Sequence, residues 1–277
     1  MKRLSFRRSL LIAACLGTVA AFCDEIATAL LQKSGLEGGV VFLPRVHSHG
    51  EALELARDER FLVFAQTPSD SQVLKLRDTA AENGVLARRL YVDRGESHEC
   101  PLAPRMTALL VVTDLRGEDL TERNLLAWTR ALAPRRGRAL VGTPDATSLD
   151  REKLRKWVSG LPHARIDEDE TGLWASFRAP VDPALDEWPQ KFHDASNARM
   201  SRDYAFADPF LPAWYALPLH LGYWGDTMVS ANGRCYHIWA NRAFLTSVSL
   251  IARDIHNGMK LWERPFSWDE PRDNNRA

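Results

Sequence analysis

The sequence carries no excess of either charge, since 36 Lys and Arg balance 36 Asp and Glu in 277 residues. That balance removes any electrostatic reason to expect nucleic acid or an anionic membrane surface as a partner. It also lacks a bilayer-spanning run where one would be looked for: the N-terminal apolar stretch Ser9–Phe22 is too short to cross comfortably. Cysteine is scarce, with four in the chain, so a disulfide-built scaffold is excluded. What remains is ordinary globular composition, 45% hydrophobic, with room for one large or two modest domains.

The N-terminus reads as a targeting signal. MKRLSFRR supplies a basic head, SLLIAACLGTVAAF the apolar run, and Val19-Ala20-Ala21 the small residues that a signal peptidase cuts after. Arg7-Arg8 with the following Ser-Leu-Leu also fits a twin-arginine export signal loosely. We therefore expect residues 1–23 to be a signal peptide, no membrane span after its cleavage, and an exported protein in the periplasm or outside the cell. Cys100 and Cys235 then remain. They are far apart in sequence and read as separate buried thiols, although an oxidising compartment would permit a bridge.

From Gly38 the pattern alternates. GVVFL (39–43), FLVFA (61–65), LYV (90–92), ALLVVT (108–113) and RALVG (138–142) are short continuous apolar runs, as in parallel strands buried on both faces. Helical stretches separate them. One opens at Ser69 as N-cap, stripes Val73, Leu74, Leu76 and Ala80, and stops at Asn83-Gly84. Another starts at Thr121, places Leu125, Trp128 and Leu132 on one face, and ends before Pro134. A third carries a Thr147/Asp150 capping pair and closes at Gly160. Residues 164–180 read as an antiparallel hairpin.

A doubly wound α/β (Rossmann-like) sheet with an antiparallel terminal hairpin, together with WTRALAPRRGRALVG (128–142) and VVTDL (111–115), resembles the class I methyltransferases over about residues 36–180. That resemblance implies an S-adenosylmethionine site at the carboxyl ends of the strands. Its positions here are Gly50, the glycine left in LPRVHSHG after the first strand; Gln66, at the end of the second; and Asp114, after the fourth. Pro44, Arg45, His47 and His49 stand where the family's glycine-rich turn brings bare backbone to the cofactor, and Gln66 replaces a ribose-gripping acid. The site is thus expected to be degenerate. His47, His49, His98, Glu99 and Cys100 are zinc-ligand types on the same sheet edge, but no tight metal-binding spacing links them and no metal is assigned.

The composition changes at residues 181–207, where prolines accumulate and no helical stripe survives, so this stretch reads as a linker or strap. Beyond it, six of the nine tryptophans fall between Trp188 and Trp268, and short strands flank Asn232-Gly233 and Asn257-Gly258. LIARDIHNGMKLW resembles the repeat of quinoprotein-type β-propellers through Ala252, Asp254, Asn257, Gly258, Leu261 and Trp262. Asp254 can bond the turn backbone and Gly258 supplies the left-handed position, while the resemblance implies that Trp262 docks on a neighbouring blade. DEWPQKFHDASNARMSRD (186–203) is similar to the lead-in of exported bacterial proteins that join a methyltransferase-like domain to such a propeller.

Residues 208–277 would then be the first blade. No second copy of the motif follows, and propellers close with four to eight blades. A truncated or split gene product is expected, with pyrroloquinoline quinone (PQQ) implied only by resemblance. The leading functional expectation is a non-catalytic exported protein acting in recognition or assembly. Its partner would be another propeller-containing chain, or a second copy through the blade edge. The alternatives are an S-adenosylmethionine-dependent methyltransferase and a fragment of a PQQ-dependent dehydrogenase.

Overall fold

The computed structural model describes residues 26–204, 214–215, 228–240 and 248–266. The expected signal peptide, Cys15, Cys23, Trp224 and Trp268 lie outside the described residues. The described chain forms two compact units: residues 26–133 with Gly137–Pro180, and Pro134–Arg136 with the described residues from Val181 onward. No described helix is long and apolar enough to cross a membrane.

Unit 1 is built on seven strands: β1 (Gly39–Leu43), β2 (Phe61–Thr67), β3 (Leu90–Arg94), β4 (Leu109–Val112), β5 (Arg138–Thr143), β6 (Arg165–Asp169) and β7 (Gly172–Phe177). Their order is β3-β2-β1-β4-β5-β7-β6, with the first five parallel and the β6–β7 hairpin antiparallel. The continuous apolar runs have a plain cause, because both faces of this sheet are covered. Val41, Leu43, Val63, Leu109 and Val111 join one core, whereas Phe42, Leu110, Val112 and Val141 join the other. Alternate residues of one strand thus serve opposite cores.

Helical residues 26–34 (α1), α2 (His49–Arg57) and α3 (Asp70–Glu82) cover the first face, while α4 (Glu122–Ala131) and α5 (Arg151–Val158) cover the second. The predicted stripe on α3 holds at Val73, Leu76 and Ala80, which are buried. Leu74 does not belong to it and is 61% exposed, because one residue after Val73 the helix has turned about 100° away from the sheet. Ser69 occupies the N-cap of α3 without a side-chain cap bond; its hydroxyl meets that of Ser71 instead. Thr121 caps α4 as expected. The start of α5 differs from the Thr147/Asp150 box: Asp150 is the N-cap, accepting from Glu152 and Lys153 N–H, and Asp145 caps a separate 3₁₀ turn over Ala146–Ser148.

Unit 2 contains a four-stranded antiparallel sheet of β8 (Val229–Ala231), β9 (Arg234–Ala240), β10 (Val248–Asp254) and β11 (Lys260–Phe266), in the order β11-β10-β9-β8. The β8–β9 turn has positive φ at both Asn232 (52°) and Gly233 (71°), the primed geometry that this residue pair tolerates. Residues 181–204 form no helix or strand and are strapped to β8. The Trp188 N–H donates to the Ser230 hydroxyl, and the Ser230 N–H donates to the Trp188 carbonyl, both at 2.7 Å.

Candidate functional site at the carboxyl edge of the first sheet

Between β1 and β4 the chain's winding reverses, the place where sheets of this kind offer a ligand crevice beyond the carboxyl ends of their strands. Arg45 follows Pro44 out of β1 and bridges that position. Its Nε donates to Asp114 Oδ1 at 3.0 Å and one Nη to the Asp114 carbonyl at 2.9 Å. Both Nη atoms grip Asp119 as a fork, at 2.9 and 2.8 Å. A planar guanidinium suits this two-carboxylate geometry, and charge-assisted pairs of this kind are the strong ones. Burial disfavours the charge on Arg45, but hydrogen bonding and attraction from Asp119 and Asp114 outweigh it and raise its pKa. Asp119 is itself fixed: its carboxylate accepts from the Arg116 N–H and its carbonyl from the Asn124 amide.

Behind this clamp sits Glu51, in the first turn of α2. Ser48 caps the helix by accepting from the Glu51 N–H, and the Glu51 carboxylate reaches back toward the His47 N–H at 3.4 Å. The residue is 3% exposed and its Oε1 has no hydrogen-bond partner. Burial, together with the negative charge of Asp114, pushes its carboxyl up to about 7 against hydrogen bonds from Thr113, His47 and Ser48.

The three positions expected to hold S-adenosylmethionine have distinct fates. Gly50 is no loop glycine but the second residue of α2. Gln66 is fully buried, and its amide donates to the carbonyls of Glu96 and Glu99 at 2.6 and 2.7 Å, so the loop after β3 takes up its donors. The Gln66 backbone carbonyl accepts from Val46 N–H, tying the loop after β1 to the end of β2. Asp114 does face the crevice, ion-paired to Arg45, with the exposed His47 Nδ1 at 3.9 Å. Sequence reading passed over Asp119 and Glu51. A signal for the second was present, because Ser48-x-x-Glu51 is a capping-box pattern.

Among the described residues no three His, Cys, Asp or Glu side chains converge as metal ligands. Cys100 and Cys235 are both free thiols, each raised in pKa mainly by burial.

In unit 2 the motif residues form a fixed turn. Asp254 Oδ1 accepts from His256 and Asn257 N–H, Asn257 Oδ1 accepts from Met259 N–H, and Gly258 has φ 73°. Ala252 is fully buried in β10, where a bulge shifts the register against β11. The second carboxylate oxygen of Asp254 was not foreseen: it takes a guanidinium N–H from Arg136 at 2.5 Å, with both side chains almost fully buried. Trp262, expected to await a neighbour, is half-buried against Tyr236, with ring centroids 5.9 Å apart and the Arg264 guanidinium 5.1 Å from its own ring.

No family profile matches the chain, and no curated protein does. Solved structures do resemble it. A protein of Methanococcus maripaludis proposed to be an S-adenosyl-L-methionine-dependent methyltransferase superposes with a TM-score of 0.51 at 15% identity, over 60% of this chain and 89% of that one. A proposed methyltransferase of Pseudomonas syringae gives 0.44 at 19% identity, over 55% and 96% of the two chains. An S-adenosylmethionine-dependent methyltransferase of Aquifex aeolicus gives 0.43 at 15% identity, over 55% and 87%. At these identities the likeness concerns fold, and unit 1 has the methyltransferase-like Rossmann fold.

Proposed function

We propose that this chain is a recognition or assembly protein in which unit 1 keeps a methyltransferase-like fold while its own side chains occupy the cofactor crevice. One observation carries this reading: the Arg45 guanidinium spans the switch point and neutralises Asp114 and Asp119. A bound cofactor would have to displace a forked, partly buried ion pair. Gln66 is fully buried with its amide N–H groups committed to two backbone carbonyls, so it presents no exposed side-chain atom to a ribose. Export by the N-terminal signal belongs to the same proposal, and detection of the mature chain in the cytoplasm alone would remove it.

The second reading is S-adenosylmethionine-dependent methyl transfer. The likeness of fold favours it, and so does Glu51, a carboxyl raised to about 7 beside Asp114, as groups poised for proton transfer are. Calorimetric titration of the full chain with S-adenosylmethionine separates the two. We expect no saturable heat below roughly 1 mM ligand, whereas a Kd near 1 μM, or about −8 kcal/mol, would replace the first reading with the second.

For the assembly role, β11 is the sheet edge with no strand paired to its outer side among the described residues, which suits strand addition by another chain. Self-association through it predicts a concentration-dependent mass in light scattering. A constant monomer mass would leave a different propeller-containing chain as the partner to seek. A quinone-dependent fragment has no comparable observation in its favour.

A further inference from the structure

Unit 2 contains a cavity of about 630 Å³, within the usual range for small-molecule sites. Its walls include Trp188, Phe192 and Trp214 with Lys191 and Arg199, and no acidic residue lines it among the described residues. The indoles are fixed by the protein itself. Trp214 Nε1 donates to the Ile255 carbonyl at 2.8 Å. Its ring lies so close to the β10–β11 turn that a Cβ on Gly258 would come within 2.4 Å. Trp188 is clipped to Ser230 through its backbone, and its Nε1 points to the Lys191 carbonyl at 3.4 Å. On its edge His193 stands at 5.0 Å between centroids, held by Asp186 at 2.7 Å and Asp194 at 3.3 Å. With both ring N–H groups engaged, what these tryptophans offer a ligand is their π surface.

The cations stand differently. The Arg199 guanidinium lies 4.1 Å from the Phe192 centroid, and the Lys191 Nζ lies 5.3 Å from the same ring. Arg199 is exposed and, among the described residues, has no carboxylate partner. An arginine stacked on an aromatic ring keeps the edge of its fork free for a carboxylate. The loop that delivers it is strained, because His193, Asn197 and Arg199 all have positive φ (78°, 55° and 56°) though none is glycine. Such outliers persist where surrounding contacts impose them, and they gather at ligand sites.

We propose that this cavity binds a small aromatic carboxylate, its ring stacked on the tryptophan surfaces and its carboxylate on the Arg199 fork. Fixed aromatic walls would lower the ordering cost of binding, and among the described residues no acidic wall residue opposes Arg199. The site lies wholly within unit 2 and stands or falls independently of the reading of unit 1.

The test is titration of the full chain with 2-naphthoate and with its neutral analogue 2-naphthalenemethanol, followed by calorimetry and tryptophan fluorescence. We expect saturable naphthoate binding, at least tenfold tighter than the alcohol. Arg199→Ala should erase that preference, leaving the alcohol's affinity unchanged, and Arg199→Lys should restore part of it. Trp214→Phe, which keeps an aromatic surface, should weaken both ligands by only a few-fold. Equal affinity for the two ligands, no saturation below 1 mM naphthoate (a Kd weaker than about −4 kcal/mol), or an unchanged preference in Arg199→Ala would overturn the proposal.

Discussion

Asp254→Ala is expected to destabilise unit 2 by about 3–5 kcal/mol, the cost of leaving a buried guanidinium without its counter-charge. Arg136 and Asp254 are 3% and 0% exposed at the side chain, so neither can recover hydration without moving the chain around it. The same carboxylate also accepts from the His256 and Asn257 N–H groups, and each such bond contributes about 1 kcal/mol. Against a typical domain stability of about 5–15 kcal/mol, the loss would leave little margin. Asp254→Asn divides the two contributions, because an amide oxygen can still accept from the turn while the charge is gone. Replacing the pair together, Arg136→Met with Asp254→Leu, should cost less than the two single changes added, since apolar pairs often substitute for buried ions. Urea unfolding followed by tryptophan fluorescence checks all five variants, the two single changes of the pair included. A loss below 1 kcal/mol for Asp254→Ala would show that water reaches Arg136.

The sheet of unit 1 was legible because its strands are buried twice. Phe42 and Val41 serve different cores, and that doubling is what turns an alternating pattern into the continuous run GVVFL. The β6–β7 hairpin was legible for the opposite reason: RIDED is polar with one half-buried isoleucine, as an edge strand can be. Asn232-Gly233 and the Asp254 turn could be read because their chemistry is local, acting within five residues.

What could not be read is mostly distant in sequence. Arg136 and Asp254 are 118 residues apart, and Arg45 and Asp119 are 74 apart. No spacing rule joins such pairs before the fold does. Helix α2 was missed for another reason. Its stretch was compared with a glycine-rich turn, so Gly50 was taken for a loop residue although Ser48-x-x-Glu51 announces a helix start. The same comparison made Asp114 visible, and only the structure shows that Arg45 already holds it.

Glu51 yields the second large effect, and its sign is opposite to that of a paired carboxylate. The folded protein holds its proton up to about 7 instead of the ordinary 4.5, so the native state binds that proton more tightly than the unfolded chain does. The associated stability is fully present below about pH 4.5 and is lost as pH rises through 7. By pH 8 the loss comes to about 3 kcal/mol. In Glu51→Gln this dependence should vanish, so that the stability difference between variant and wild type shifts by about 2.5 kcal/mol in favour of the variant between pH 5 and pH 8. Comparing the difference across pH cancels any fixed cost of burying an amide where Oε1 now lacks a partner. It equally cancels the titration of groups common to both proteins. Urea unfolding at several pH values, read from the transition of unit 1, measures the shift. A difference that stays constant would mean that Glu51 is already ionised at pH 5. Its negative charge would then lie beside that of Asp114, in a site where burial opposes both.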